Sequence, residues 1–148
     1  MKISSALLGG LAGAVTVTIL HELMKQNVSN APRMDKLGME SIEEGLEKAD
    51  LPVPDKQELF GAAMVGELLT NSLYYALAGI GKRENATKKG SVLGLAAGLG
   101  SVLLPKPMGL NARHSNKTAK TQLLAMGLYL VGGLVASKVT EMLDREVL

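Results

Sequence analysis

The chain has 148 residues, no cysteine and a formal net charge of +2 from 16 basic and 14 acidic residues. The lack of cysteine excludes disulfides and thiolate chemistry, and the small charge, with no basic stretch interleaved with aromatics, argues against a nucleic-acid partner. Apolar residues make up 47%, which is ordinary for a soluble domain, so their distribution along the chain is the informative property.

Four apolar stretches, each close to the length that crosses a bilayer, are separated by short charged segments. About 20 residues of helix cross a hydrocarbon core roughly 30 Å thick. The alternative is a soluble four-helix bundle, but each of its helices would carry charges along the side that faces water. The absence of tryptophan, and with it of the usual aromatic belt at the membrane interface, favours this alternative. The sequence predicts one all-α membrane domain over residues 1–148, with four transmembrane helices at about 3–24, 59–81, 90–110 and 121–142.

The first stretch follows Lys2 and resembles a secretory signal. However, its apolar run is longer than that of most signals, and no small-x-small cleavage site precedes His21. We therefore expect an uncleaved first span. Gly9 and Gly13 are four residues apart, so they share one face on which a neighbouring helix can pack closely.

The long connection after the first stretch predicts a short amphipathic helix over about 32–49. Asn30 is expected to cap it, with Pro32 in its first turn, and Ser41–Glu44 has the pattern of a capping box. This helix would lie on the membrane surface or across the mouth of the bundle, the alternative being a solvated loop helix. Its apolar residues recur at helical spacing: Met39, Ile42, Leu46 and Ala49.

The second stretch opens with a further capping box, Asp55 with Glu58, and contains a polar group of residues. Glu67 is the only charge-capable residue deep in any stretch, and Thr70 and Asn71 follow it. An ionised carboxylate costs a few kcal/mol at such a depth unless it is paired, so Glu67 should face the bundle interior.

His21 and Glu67 would lie in the same half of the membrane, because one loop joins their helices. Such a pair could form a proton-responsive site, or simply a structural hydrogen bond that holds two helices together. The spacing of His21, Glu22 and Glu67 does not match a metal-ligand motif, and no nucleophile motif is present. The sequence therefore predicts no catalytic residue, no metal site and no cofactor.

Glycines at positions 90, 94 and 98 repeat every four residues along the third stretch. They predict a helix face that packs closely against a partner helix, either in this chain or in a second copy. The third stretch is the shortest of the four, and needs the residues up to Leu110, or a tilt, to cross a bilayer.

Some of these features resemble those of the YagU-like family of small bacterial inner-membrane proteins. They are the glycine-rich segment Gly9–Gly13, the long proline-containing first loop, and a Gly-Leu-Ala-Ala-Gly segment before Pro107–Leu110. The first loop departs from the family pattern in length and sequence. The resemblance implies the bacterial inner membrane and brings no catalytic residues to carry over.

The basic residues bear on how the chain is oriented in the membrane. Lys2 and the basic cluster of the short second loop favour both termini in the cytoplasm, although the basic residues of the first loop favour the reverse. We expect a non-enzymatic multi-pass protein of the inner membrane that packs or oligomerises through its glycine faces. Its partners would be the lipid bilayer and a second copy or another membrane protein. The alternative is a module for permeation or transport of protons or small solutes that uses Glu67 and His21.

Overall fold

The computed structural model describes residues 1–146 and shows an all-helical chain, with no β-strand in that range. Two short 3₁₀ turns, Leu77–Gly79 and Arg83–Asn85, connect the third helix to the fourth. The α-helices in chain order are α1 (Ile3–Asn27), α2 (Met34–Lys48), α3 (Lys56–Ala76), α4 (Ala86–Leu103), α5 (Arg113–Asn116) and α6 (Ala119–Glu146).

The four long helices α1, α3, α4 and α6 form the body of the molecule. Helix α1 packs between α3 and α6, and α4 packs on the other side of α6. The start of α1, the 3₁₀ connection and the end of α6 meet at one end, here named the terminal end. There the Lys2 amide donates to Asp144 Oδ1 at 2.9 Å, and the Met1 amino group donates to the Gly81 carbonyl at 3.1 Å.

Helix α2 lies at the opposite end, here named the α2 end, and packs mainly on α3. Gly38 suits this close packing, because a Cβ there would lie a tight 3.2 Å from the Ala63 methyl. The segment before α5 also contacts α2, with the Asn111 amide donating to Glu40 Oε1 at 3.0 Å. The predicted amphipathic helix is therefore present, and it covers one end of the bundle.

One of the three predicted helix starts is confirmed. Asp55 caps α3, since its Oδ1 accepts from the Glu58 amide at 2.9 Å. The prediction at Asn30 is wrong, because Asn30 has a φ of +57° and α2 begins four residues later. The capping box at Ser41 is also wrong: Ser41 lies inside α2, where its hydroxyl donates to the Leu37 carbonyl at 2.7 Å.

The glycine faces pack inside the chain. A Cβ at Gly94 would lie 2.6 Å from the Tyr129 carbonyl, and one at Gly98 would lie 2.7 Å from the Met126 Cα, so α4 meets the backbone of α6 directly. Gly90 contacts Gly133 of α6 in the same way. Gly13 of α1 lies against Gly132, which is also on α6.

Two of the described helices, α1 and α6, are long and apolar enough to cross a membrane. The predicted third span, 90–110, differs from the helix found there, because α4 begins at Ala86 and ends at Leu103. Residues 104–110 form turns, with a φ of +79° at Gly109 and the Leu110 amide donating to the Pro105 carbonyl at 2.9 Å. The two prolines at 105 and 107 account for this end, since proline cannot continue the helical hydrogen bonds.

Candidate functional site

A cleft lies between the two outer helices of the body, α3 and α4, which contact each other little. Its volume is about 560 Å³, and it opens to the outside of the bundle. Helix α2 and the turns at 104–110 close it at the α2 end, and Tyr129 contributes from α6. Its polar lining residues are Ser41, Glu67, Thr70, Asn71, Tyr74, Ser101 and Tyr129.

Glu67 lines this cleft from the middle of α3 and is half-buried. Its carboxylate lies close to α2, because a Cβ added at Gly38 would be 3.2 Å from its Oε1. Within residues 1–146, no backbone or side-chain group forms a hydrogen bond or an ion pair with this carboxylate. Thr70 and Asn71 line the same cleft, so three of the four predicted site residues come together.

Two tyrosines join the helices around the cleft through hydrogen bonds to backbone carbonyls, and Tyr74 also lines it. The Tyr74 hydroxyl donates to the Leu93 carbonyl of α4 at 2.7 Å, which joins the two walls. The fully buried Tyr75 donates to the Tyr129 carbonyl of α6, also at 2.7 Å. These two hydrogen bonds tie α3 to α4 and to α6 beside the cleft.

His21, the fourth predicted site residue, lies outside the cleft in a separate polar cluster. Its Nε2 is 3.1 Å from the Pro32 carbonyl oxygen, 3.2 Å from the Met34 amide nitrogen and 3.7 Å from Asp35 Oδ1. The structure thus brings His21 to the start of α2 and gives it no hydrogen bond with Glu67. Its contacts hold α1 to α2, and their geometry suits a structural role.

Asp35 is the centre of this cluster and is almost completely buried. It accepts from Arg33 Nε and Nη2 at 3.0 and 2.8 Å, and the Lys25 ammonium lies 3.4 Å away. Burial alone would raise the pKa of the Asp35 carboxyl, but the hydrogen bonds and charge of Arg33, with the charges of Lys25 and His21, hold the pKa well below its usual range. Asp35 is therefore ionised at neutral pH.

The sequence did not identify Asp35, Tyr74 or Tyr129 as members of either group. Asp35 belongs to the charged start of a surface helix, where most carboxylates are solvated. Its neighbour Arg33, two residues earlier, is the one local sign of an ion pair. No comparable sign marks the tyrosines, because their place in the cleft depends on how α3, α4 and α6 are arranged.

The described residues contain no group of three or more His, Cys, Asp or Glu side chains placed to hold a metal ion. Comparisons with family models, with curated proteins and with solved structures gave no match to this chain. The likeness to the YagU-like family stays a prediction.

Proposed function

We propose that the chain is a non-enzymatic multi-pass protein of the bacterial inner membrane, with α1, α3, α4 and α6 as its four spans. Both termini would lie in the cytoplasm, with the terminal end on that side of the bilayer. Its function would be carried by the cleft between α3 and α4, as a binding site open to the membrane.

The observation that carries this proposal is the position of the large apolar side chains. They cover the outer surface of all four long helices, including α3 and α4; Leu69 and Leu103, for example, are 60% and 64% exposed. Soluble monomers rarely expose apolar patches of more than a few hundred Å². A lipid environment removes the cost of this exposure, because lipid tails are as apolar as leucine.

The interior supports the same proposal, because small residues dominate it. Buried positions on α1 and α6 are mostly glycine, alanine, serine and threonine, which allow helix backbones to approach closely. Helices in lipid associate through such close packing, since no hydrophobic force drives them together. The glycine faces are occupied within one chain, so a second copy would have to use another surface.

Binding is favoured over passage of a solute. Glu67, Thr70 and Asn71 line the cleft, as a transport module would require, but the Tyr74–Leu93 hydrogen bond ties its two walls together. His21 is engaged by the start of α2 and does not line the cleft. We therefore place permeation second.

Nitroxide accessibility tests whether α3 and α4 face lipid. Single cysteines at Leu69 and Leu95, both exposed in the middle of their helices, would carry the label in lipid bilayers, with Glu47→Cys on α2 as a polar control. We expect labels at 69 and 95 to collide with oxygen and to be protected from a water-soluble nickel chelate, and the label at 47 to show the reverse. Strong nickel collisions at 69 and 95 would contradict the four-span proposal.

A further inference from the structure

We propose that the cleft between α3 and α4 binds an organic cation with apolar substituents, for which the Glu67 carboxylate is the counter-ion. This inference rests on the membrane placement proposed above, because the open side of the cleft would then face lipid. A ligand of this kind could enter from the bilayer, where its apolar substituents partition.

The charge of the lining favours a cation. Glu67 is the one acidic residue among those that line the cleft, and no lysine, arginine or histidine lines it within residues 1–146. Lys25, a nearby cation on α1, is already engaged by Glu22 at 2.8 Å and by Asp35 at 3.4 Å. A carboxylate in apolar surroundings is costly without a partner, and a bound cation would offset that cost.

The apolar lining favours an organic cation over an inorganic one. An inorganic cation needs several oxygen ligands, whereas much of this lining is aliphatic, with Leu104 and Met108 on one side and Leu37 on another. An organic cation fits both the apolar and the acidic lining residues. Its substituents would contact the apolar side chains, and its charge would lie beside Glu67. Tyr74 and Tyr129 also line the cleft, and aromatic rings attract cations.

The size of the cleft fits such a ligand. Its volume of about 560 Å³ lies in the range of small-molecule sites, which are mostly apolar and contain a few polar groups that orient the ligand. Gly100 provides a way to reduce this volume. Among the described residues, a Cβ there would meet only the Leu104 side chain, at 3.5 Å, and Gly100 lines the cleft, so a larger side chain at this position would take up part of its volume.

Equilibrium binding of radiolabelled tetraphenylphosphonium to the full chain in lipid nanodiscs tests the proposal, with empty nanodiscs to correct for partition into lipid. We expect saturable binding at one site per chain. Glu67→Gln should weaken it by roughly tenfold or more, because the charge-assisted contact is lost while the side chain keeps its shape. The matched control Glu47→Gln removes an exposed carboxylate of α2 outside the cleft and should leave the affinity unchanged.

A second variant keeps the test decisive if Glu67→Gln fails to fold. Gly100→Leu leaves the carboxylate in place and fills the cleft, so it should also lose the probe. Neutral triphenylphosphine oxide should compete poorly with the cation in the parent protein. Absence of saturable binding, an unchanged affinity in both variants, or equal competition by the neutral compound would overturn the inference. Chain that enters nanodiscs without binding would refute this inference alone, whereas chain that does not enter them would refute the membrane proposal.

Discussion

Asp35 is a buried charge whose cost is met by partners from two helices. Arg33 supplies two hydrogen bonds from the residue next to α2, and Lys25 approaches from α1. His21 completes the cluster by facing the backbone of Pro32 and Met34. The cluster therefore fixes the start of α2 against the end of α1, which holds α2 over the bundle.

Asp35→Asn should lower the free energy of unfolding by about 2 kcal/mol near neutral pH, since it leaves Arg33 and Lys25 without their buried counter-charge. The measurement is unfolding in detergent by circular dichroism. Lys36 is the neighbouring exposed residue on α2, and Lys36→Gln, as a control, should have little effect.

The pH dependence of this difference follows from the lowered pKa of Asp35. A carboxyl with a lowered pKa in the folded state stabilises the protein fully above its unfolded pKa, roughly 3.9, and this contribution is lost as the pH falls toward the folded pKa. The contribution of the Asp35 carboxyl itself to the stability gap between parent and Asp35→Asn should thus be fully present at pH 5 and shrink progressively below about pH 4. A gap that widens as the pH falls from 4 to 2 would contradict the assignment.

The contact between helices α4 and α6 depends on glycines, which have no side chain. The repeat of Gly90, Gly94 and Gly98 indicated a packing face from the sequence, because such a face depends on spacing alone. The identity of the partner helix could not be predicted, since the spacing is equally compatible with another copy. The structure shows α6 of the same chain in that position.

Gly94→Leu should destabilise the protein by about 3 kcal/mol, because a Cβ there would lie 2.6 Å from the Tyr129 carbonyl and 2.7 Å from the Leu130 Cα. The control is Gly127→Leu on α6, where a Cβ would meet no atom of residues 1–146 within 4 Å. Thermal unfolding in detergent should show a lower midpoint for the first variant and an unchanged or higher one for the second. Equal midpoints for Gly94→Leu and the parent would mean that α4 and α6 do not touch at this glycine.

The helix starts show which local sequence signals are enough to predict where a helix begins. The cap at Asp55 was predictable because it involves only the next three residues. The start of α2 was not, because distant groups determine it: the Arg33 amide donates to the His114 carbonyl at 2.8 Å, and His21 engages the Pro32 carbonyl. Sequence spacing gives no information about contacts with residues so far along the chain.

For the whole molecule, helical content and the approximate positions of the long helices could be predicted from apolar runs. Their arrangement could not, because every long helix has an apolar outer surface, and three of them, α1, α4 and α6, bury mostly small residues. The cleft exists because α3 and α4 both pack on other helices and leave a gap between them. Glu67 was identified by its charge within an apolar run, whereas its neighbours in the cleft depend on that gap.

If four helices cross the membrane, the fold predicts which residues lie on the same side of the bilayer. The structure places Lys82 at the terminal end, and Glu47 and Lys117 belong to the segments at the α2 end; all three are exposed. The native chain has no cysteine, so a single cysteine at each position reports without background.

The most direct measurement is labelling of these three variants by a membrane-impermeant maleimide in sealed vesicles of known orientation. We predict that Lys82→Cys reacts from the cytoplasmic side only, and that Glu47→Cys and Lys117→Cys react from the opposite side only. Reaction of all three from one side would contradict the four-span account.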